Sequence, residues 1–298
     1  LGLEAAAIRV VRRLPIPGGL TSWLRSARPD VLVWPTLLHM DAVENDLVKA
    51  AQAQGVPVLG APASFDNCTT KGAFLVRPDR LIVWGQASHR HALERHGFAP
   101  GSVTVTGPPQ FALYESGVLP PGRSVYVNGT SIHYWRDEDA LVAQLRAALP
   151  DVEVVHSQHP RRRGGTYMPL GFVLERLADA ACLVAAFSTT VIEAALCGRP
   201  SFLVGFGAGA QGEAMEALGQ GAAPVLEHRR YEHMIEVLEH PGVALAQSMP
   251  ALLALVRAAL DEPPKADTAL AWREAAMEIA YCAPGIHDRI ADAIEAVK

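Results

Sequence analysis

The sequence predicts an α/β protein built from two doubly wound parallel sheets. Its 298 residues suit two domains of about 150 residues each. Short Val-rich runs alternate with helical patterns from end to end, as strands joined by crossover helices do. The apolar runs are continuous rather than alternating, which is how strands buried on both faces read. Half the residues are hydrophobic, 19% are charged and the mean hydropathy is +0.14, a balance that supports a packed core.

Taken in order, the expected strands are 31–34, 56–59, 80–84, 103–106, 124–128, 152–157, 181–186, 201–204 and 224–226. Helical periodicity falls between them at 41–54, 88–96, 138–149, 170–180, 190–197 and 211–218. Gly117, Pro120, Pro121 and Gly122 break the pattern, and a strand follows at once. This places a first domain over 1–116 and a second over 123–285. After Pro250 the pattern is helical only, at 251–260, 269–281 and 287–297, interrupted by Pro263 and Pro264. The last helix, 286–298, is expected to return to the first domain. The chain opens on Leu1 rather than Met, so the expectation allows for an incomplete start to the first domain.

Twenty-six basic side chains against 31 acidic ones give a net charge of −5, which argues against a general attraction to nucleic acid or anionic lipid. The four cysteines form no CxxC pair and three of them sit in apolar or helical surroundings, the pattern of a reduced protein of the cytoplasm. No run reaches the roughly 20 apolar residues that span a bilayer. The expected location is cytoplasmic, with peripheral contact at the inner face of the membrane left open. No P-loop, GxSxG elbow, HExxH motif or nucleic-acid module is present.

In open α/β sheets ligands sit beyond the carboxyl ends of the strands, and six such segments stand out. After the second strand come Asp66, Asn67 and Lys71; Asp66 could take a proton from a hydroxyl while Lys71 holds a charge, or Asp66 and Asn67 could simply cap a turn. Gly85 closes the third strand and opens a helix, a place for a phosphate or a plain tight turn. Gly107 does the same ahead of two prolines, with its N–H available to a phosphate or its turn serving only as a connection. His156, His159, Arg161, Arg162 and Arg163 form the one concentrated basic run; guanidinium forks suit a diphosphate, a solvated loop is the alternative, and the two histidines lack a third metal ligand nearby. Ser188, Thr189 and Thr190 offer hydroxyls and N–H groups at a helix start, and Glu193 could bind ribose hydroxyls, although Thr190-x-x-Glu193 also reads as a capping box. The GxGxxG at 207–212 precedes a short helix in mid-chain, so it fits a dinucleotide fold poorly and reads as a loop beside the cleft.

Together these residues resemble a known group. Ser64-Phe65-Asp66-Asn67, Thr70-Lys71-Gly72, the run from Pro78 to Gly85, and Val105-Thr106-Gly107 resemble bacterial surface-carbohydrate glycosyltransferases of the capsule and lipopolysaccharide type. His159-Pro160 and the run from Ser188 to Pro200 resemble the nucleotide-binding half of GT-B enzymes. That group includes CDP-glycerol glycerophosphotransferases, Kdo transferases and UDP-GlcNAc 2-epimerases. The resemblance covers roughly residues 29–200. It implies two Rossmann-like domains facing a cleft, with Glu193 on the ribose, Ser188 to Thr190 and His159 on the donor phosphates, and Asp66 on the acceptor side.

The expected function is therefore metal-independent transfer of a sugar from a nucleotide-sugar donor to a hydroxyl of a surface polysaccharide, the acceptor being a glycan or a lipid-linked molecule. Asp66 and His159 would be catalytic. Arg161, Ser188, Thr189, Thr190, Glu193, Gly85 and Gly107 would bind the donor, and Asn67 and Lys71 the acceptor. No cofactor and no metal are expected. A 2-epimerase of the same fold and a non-catalytic nucleotide-binding scaffold are the alternatives.

Overall fold

The protein, a computed structural model, is described here over residues 2–35, 42–130, 138–159, 169–186, 188–206 and 232–298. It divides into two compact units, Leu1–Ala112 with Glu278–Lys298, and Leu113–Met277. The final segment thus joins the first unit from Glu278 rather than from 286.

The first unit holds a four-stranded parallel sheet, β1 (Leu32–Trp34), β2 (Val58–Gly60), β3 (Arg80–Val83) and β4 (Val103–Val105), in the order of the chain. Helices α1 (Gly2–Arg13), α2 (Gly18–Ala27), α3 (Ala42–Ala53), α4 (Asn67–Thr70) and α5 (Gln86–Glu94) accompany it. Side chains alternate across a strand, so Leu81 and Val83 join one core with Leu47, Val48 and Phe98, while Ile82 enters another with Leu59. The C-terminal helix (Ile286–Glu295) covers that second face through Ala293 and Ile290. This double cover is why Leu81, Ile82 and Val83 of β3 form an unbroken apolar run.

The second unit holds five parallel strands in the order β6-β5-β7-β8-β9: β5 (Ser124–Asn128), β6 (Val154–Ser157), β7 (Ala180–Ala185), β8 (Ser201–Val204) and β9 (Val243–Ala246). The six residues of β7 are all buried, as the centre of such a sheet requires. Between the strands lie α6 (Glu138–Ala148), α7 (Phe172–Asp179), α8 (Thr190–Leu196) and α9 (Glu232–Leu238). Helix α10 (Met249–Asp261) packs on β7, β8 and β9, and α11 (Ala266–Ile279) follows; the C-terminal helix is α12. Ser248 caps α10 by accepting from the Ala251 N–H at 3.3 Å, with Pro250 in the first turn where its missing donor costs nothing.

Arg199, 1% exposed, fixes the start of the second unit. Its guanidinium donates to Leu177 O at 3.1 Å and Leu119 O at 3.1 Å, and also to Pro120 O and Ala178 O. One side chain therefore closes the carboxyl end of α7 and anchors the Pro-rich lead into β5.

The structure adds β9, α1, α2, α4 and α9 to the expected elements. The expected strand at 224–226, the helix at 211–218 and the GxGxxG at 207–212 lie outside the described residues. Among the described residues no helix is long and apolar enough to cross a membrane.

Candidate functional site

The strand order of the second sheet reverses at β5: β6 lies on one side of it, β7 to β9 on the other. Chain crossovers diverge at such a point and leave a crevice beyond the strand ends, the general ligand position of open α/β sheets. A pocket of about 350 Å³ is found there, lined by Tyr126, Asn128 and Thr130 from β5 and its loop, Gln158 and His159 after β6, and Ser188, Thr189 and Thr190 after β7, with further residues. No carboxylate is among the described residues lining it.

Asn128 organises this pocket. Its Nδ2 donates to Ser188 Oγ at 2.9 Å and to Thr190 Oγ1 at 3.0 Å, and its Oδ1 accepts from the Tyr126 hydroxyl at 3.1 Å. Ser188 Oγ in turn accepts from the Thr190 N–H at 3.2 Å. A polar residue ending a Val-rich strand thus ties the loops after β5 and β7 together.

Behind the pocket wall lies a second network. Buried Glu138 accepts the Thr130 N–H at 3.0 Å and pairs with His156 Nε2 at 2.7 Å. Its carboxylate occupies the space a Cβ at Gly129 would take, so a side chain there would have to displace it. Gln158 donates to Asp139 at 3.3 Å. Glu138, Asp139 and His156 bring ligand-type atoms within 4.8 Å of one another, and the bonds just given already employ them in holding the wall.

Of the expected donor residues, the structure brings Ser188, Thr189, Thr190 and His159 to this pocket. Arg161 lies outside the described residues. Glu193 does not line the pocket: its Oε1 accepts from the Tyr114 hydroxyl at 2.6 Å, and burial raises its pKa against the opposing pull of the Tyr114 and Thr190 hydrogen bonds. The capping-box alternative also gives way, because Thr189 holds the cap position without a side-chain cap bond and Thr190 begins the helix.

In the first unit Asp66 precedes the short α4, accepting from Thr70 Oγ1 at 2.9 Å, while Asn67 Oδ1 accepts the Ser64 N–H at 2.9 Å and Lys71 is exposed. Asn67 therefore makes the turn bond expected of such a loop, and Asp66 bonds a hydroxyl rather than a backbone N–H. The two glycines require correction. A Cβ on Gly85 would overlap the backbone of Glu278 and Ile279, and one on Gly107, at φ +80°, would overlap Tyr281 O. Gly107 N–H donates to Val83 O at 3.3 Å. The close approach these glycines permit is to the chain's own C-terminal segment.

Tyr114, Tyr126, Asn128, Thr130 and Gln158 were not singled out in the sequence. Asn128 carried a usable signal, a polar residue closing an apolar strand ahead of Gly129. Tyr114 and Gln158 carried none, since their roles depend on partners brought in by the fold.

No family model and no curated protein sequence matches the chain. Solved structures do. UDP-GlcNAc 2-epimerase from Neisseria meningitidis, bound to UDP-GlcNAc, is 11% identical over 99% of this chain and 81% of its own, with a TM-score of 0.58. MnaA from S. aureus, in a co-structure with UDP, is 12% identical over 98% and 78%, with a TM-score of 0.55. UDP-GlcNAc 2-epimerase from Methanocaldococcus jannaschii is 14% identical over 88% and 78%, with a TM-score of 0.50. The fold is of the GT-B type, with two Rossmann-like parallel-sheet domains.

Proposed function

We propose that this chain is a metal-independent glycosyltransferase that takes its sugar from a nucleotide-sugar donor. The observation that carries the reading is the hydroxyl- and amide-lined pocket, with no carboxylate among its described residues, at the point where the second sheet reverses its order. Such a lining suits an anion, because hydroxyl, amide and imidazole groups can all donate to phosphate oxygens without facing a like charge. In this reading Ser188, Thr189, Thr190 and His159 hold the diphosphate, joined by Arg161. The Asn128 bridge keeps the hydroxyls in place before the ligand arrives.

The transfer itself forms a bond between the acceptor oxygen and the anomeric carbon while the bond from that carbon to the diphosphate breaks. Asp66 receives the acceptor proton, and the departing charge is met by the donors of the pocket.

Asp66→Asn should leave nucleotide binding unchanged and lower turnover by at least about a hundredfold, the scale of lost general-base catalysis; full activity in that variant would remove Asp66 from the mechanism. The reading as a whole is tested by melting the protein with UDP, CMP, CDP, GDP and their sugars, since a ligand of the folded state raises the melting temperature. A selective shift supports it, and no shift with any of them refutes it.

The second reading, a nucleotide-sugar 2-epimerase, is favoured by the solved structures of like fold that bear that name. Incubation with donor alone separates the two: an epimerase alters the sugar without an acceptor, a transferase does not.

A further inference from the structure

Beyond the strand ends of the first sheet lies a pocket of about 410 Å³, of the size that takes small molecules. Its walls are Val33, Pro62, Ile82, Trp84, Pro108 and Ile290, with others of similar kind. Several polar groups of this wall are already used within the unit. Trp84 Nε1 donates to Pro62 O at 3.0 Å, and Thr106 Oγ1 to Gly107 O at 3.0 Å. Val83 O receives the Thr106 N–H at 3.1 Å, Trp84 O the Tyr281 N–H at 2.7 Å, and Thr106 O the Arg289 Nε–H at 3.1 Å. Among the described lining residues, Gln110 and His287 are the polar side chains without a role in holding that wall.

A sugar placed here would surrender its hydration for few hydrogen bonds, a costly exchange. An apolar body gains by leaving water and asks nothing of the wall. The wall is also stiff: prolines fix its backbone, and Trp84 is held edge-on to Phe111 with ring centroids 5.4 Å apart. An apolar cavity of about 150 Å³ holds a benzene, so this one admits a fused aromatic system or a folded short alkyl chain.

We propose that this pocket binds an alkyl or aryl group of the acceptor, so that the second substrate is a hydroxyl compound with an apolar group attached rather than a bare glycan. The proposal rests on the transferase reading above. His287 on α12 lines the pocket, as do Ala61, Pro62 and Ala63 on the loop after β2, the loop that continues to Asp66.

The test is calorimetric titration with octyl β-D-glucoside below its micelle concentration, against glucose. Octyl glucoside is expected to bind saturably, with one site per chain, and at least tenfold more tightly than glucose. Val33→Asp, at a position already 39% exposed, should weaken it at least tenfold. Pro109→Asp, also at an exposed position on the same wall, serves if the first variant does not fold. Equal affinity for glucose and octyl glucoside, or unchanged binding in the folded variant, overturns the proposal. Melting with UDP, run on the same samples, keeps the two readings apart. A UDP shift without octyl glucoside binding overturns the apolar pocket alone, whereas octyl glucoside binding without any nucleotide shift supports the pocket and overturns the donor reading.

Discussion

Replacing Tyr114 with Phe asks whether the Glu193 carboxylate is held chiefly by the fold. The hydroxyl donates to Glu193 Oε1 at 2.6 Å, and a hydrogen bond to a charged group contributes about 1.5–3 kcal/mol, against about 1 kcal/mol for a neutral pair. Burial raises the Glu193 pKa, and the Tyr114 bond is one of two that lower it. A carboxyl whose folded pKa lies above its unfolded value favours folding most when protonated, so its contribution falls as pH rises through that interval. Tyr114→Phe removes a bond that favours the ionised form and should deepen this fall. The expected loss is about 1 kcal/mol where Glu193 is protonated and about 2 kcal/mol where it is ionised. Urea denaturation of wild type and Tyr114→Phe across a pH series from about 4.5 to about 9 reads it, and a double-mutant cycle with Glu193→Gln isolates the pair. A coupling below about 0.5 kcal/mol, or a loss that does not change with pH, would refute the reasoning.

Three further outcomes follow from the geometry. Asn128→Ala removes the bridge to Ser188 and Thr190 and should weaken nucleotide binding about tenfold, equivalent to about 1.4 kcal/mol; calorimetry would show whether the affinity moves. Arg199→Met strands the carbonyls of Leu177, Leu119 and Pro120 and should cost about 3–5 kcal/mol, seen as an earlier urea midpoint. Gly107→Ala should destabilise the first unit by more than about 2 kcal/mol, through positive φ together with overlap on Tyr281. Gly72→Ala, at φ +84° in open space, should cost only about 1 kcal/mol, and differential scanning of the two separates backbone strain from collision.

The sheets were legible because strands covered on both faces need apolar residues at every position, as the buried run Ala180–Ala185 shows. Strand β9 escaped notice: Val243–Ala246 is four residues long and offers too little pattern to separate it from a helix end. The hydroxyls of the second-unit pocket were legible from their place after a strand. Glu193 was not, because local spacing suggested a cap while its partner Tyr114 stands 79 positions away. Gly85 and Gly107 show the same limit from the other side. A glycine after a strand announces a close approach, but the sequence does not say whether a phosphate or the chain itself comes near.

The C-terminal return also bears on how the protein is made. Domains usually complete in the order of synthesis, yet here the first-made sheet waits for residues 278–298 to cover Ile82 and to fill the space beside Gly85 and Gly107. The second unit is continuous in sequence and has every residue it needs once Met277 has emerged. On a ribosome stalled just beyond that point, limited proteolysis should therefore cut the first unit and spare the second, the reverse of the usual order.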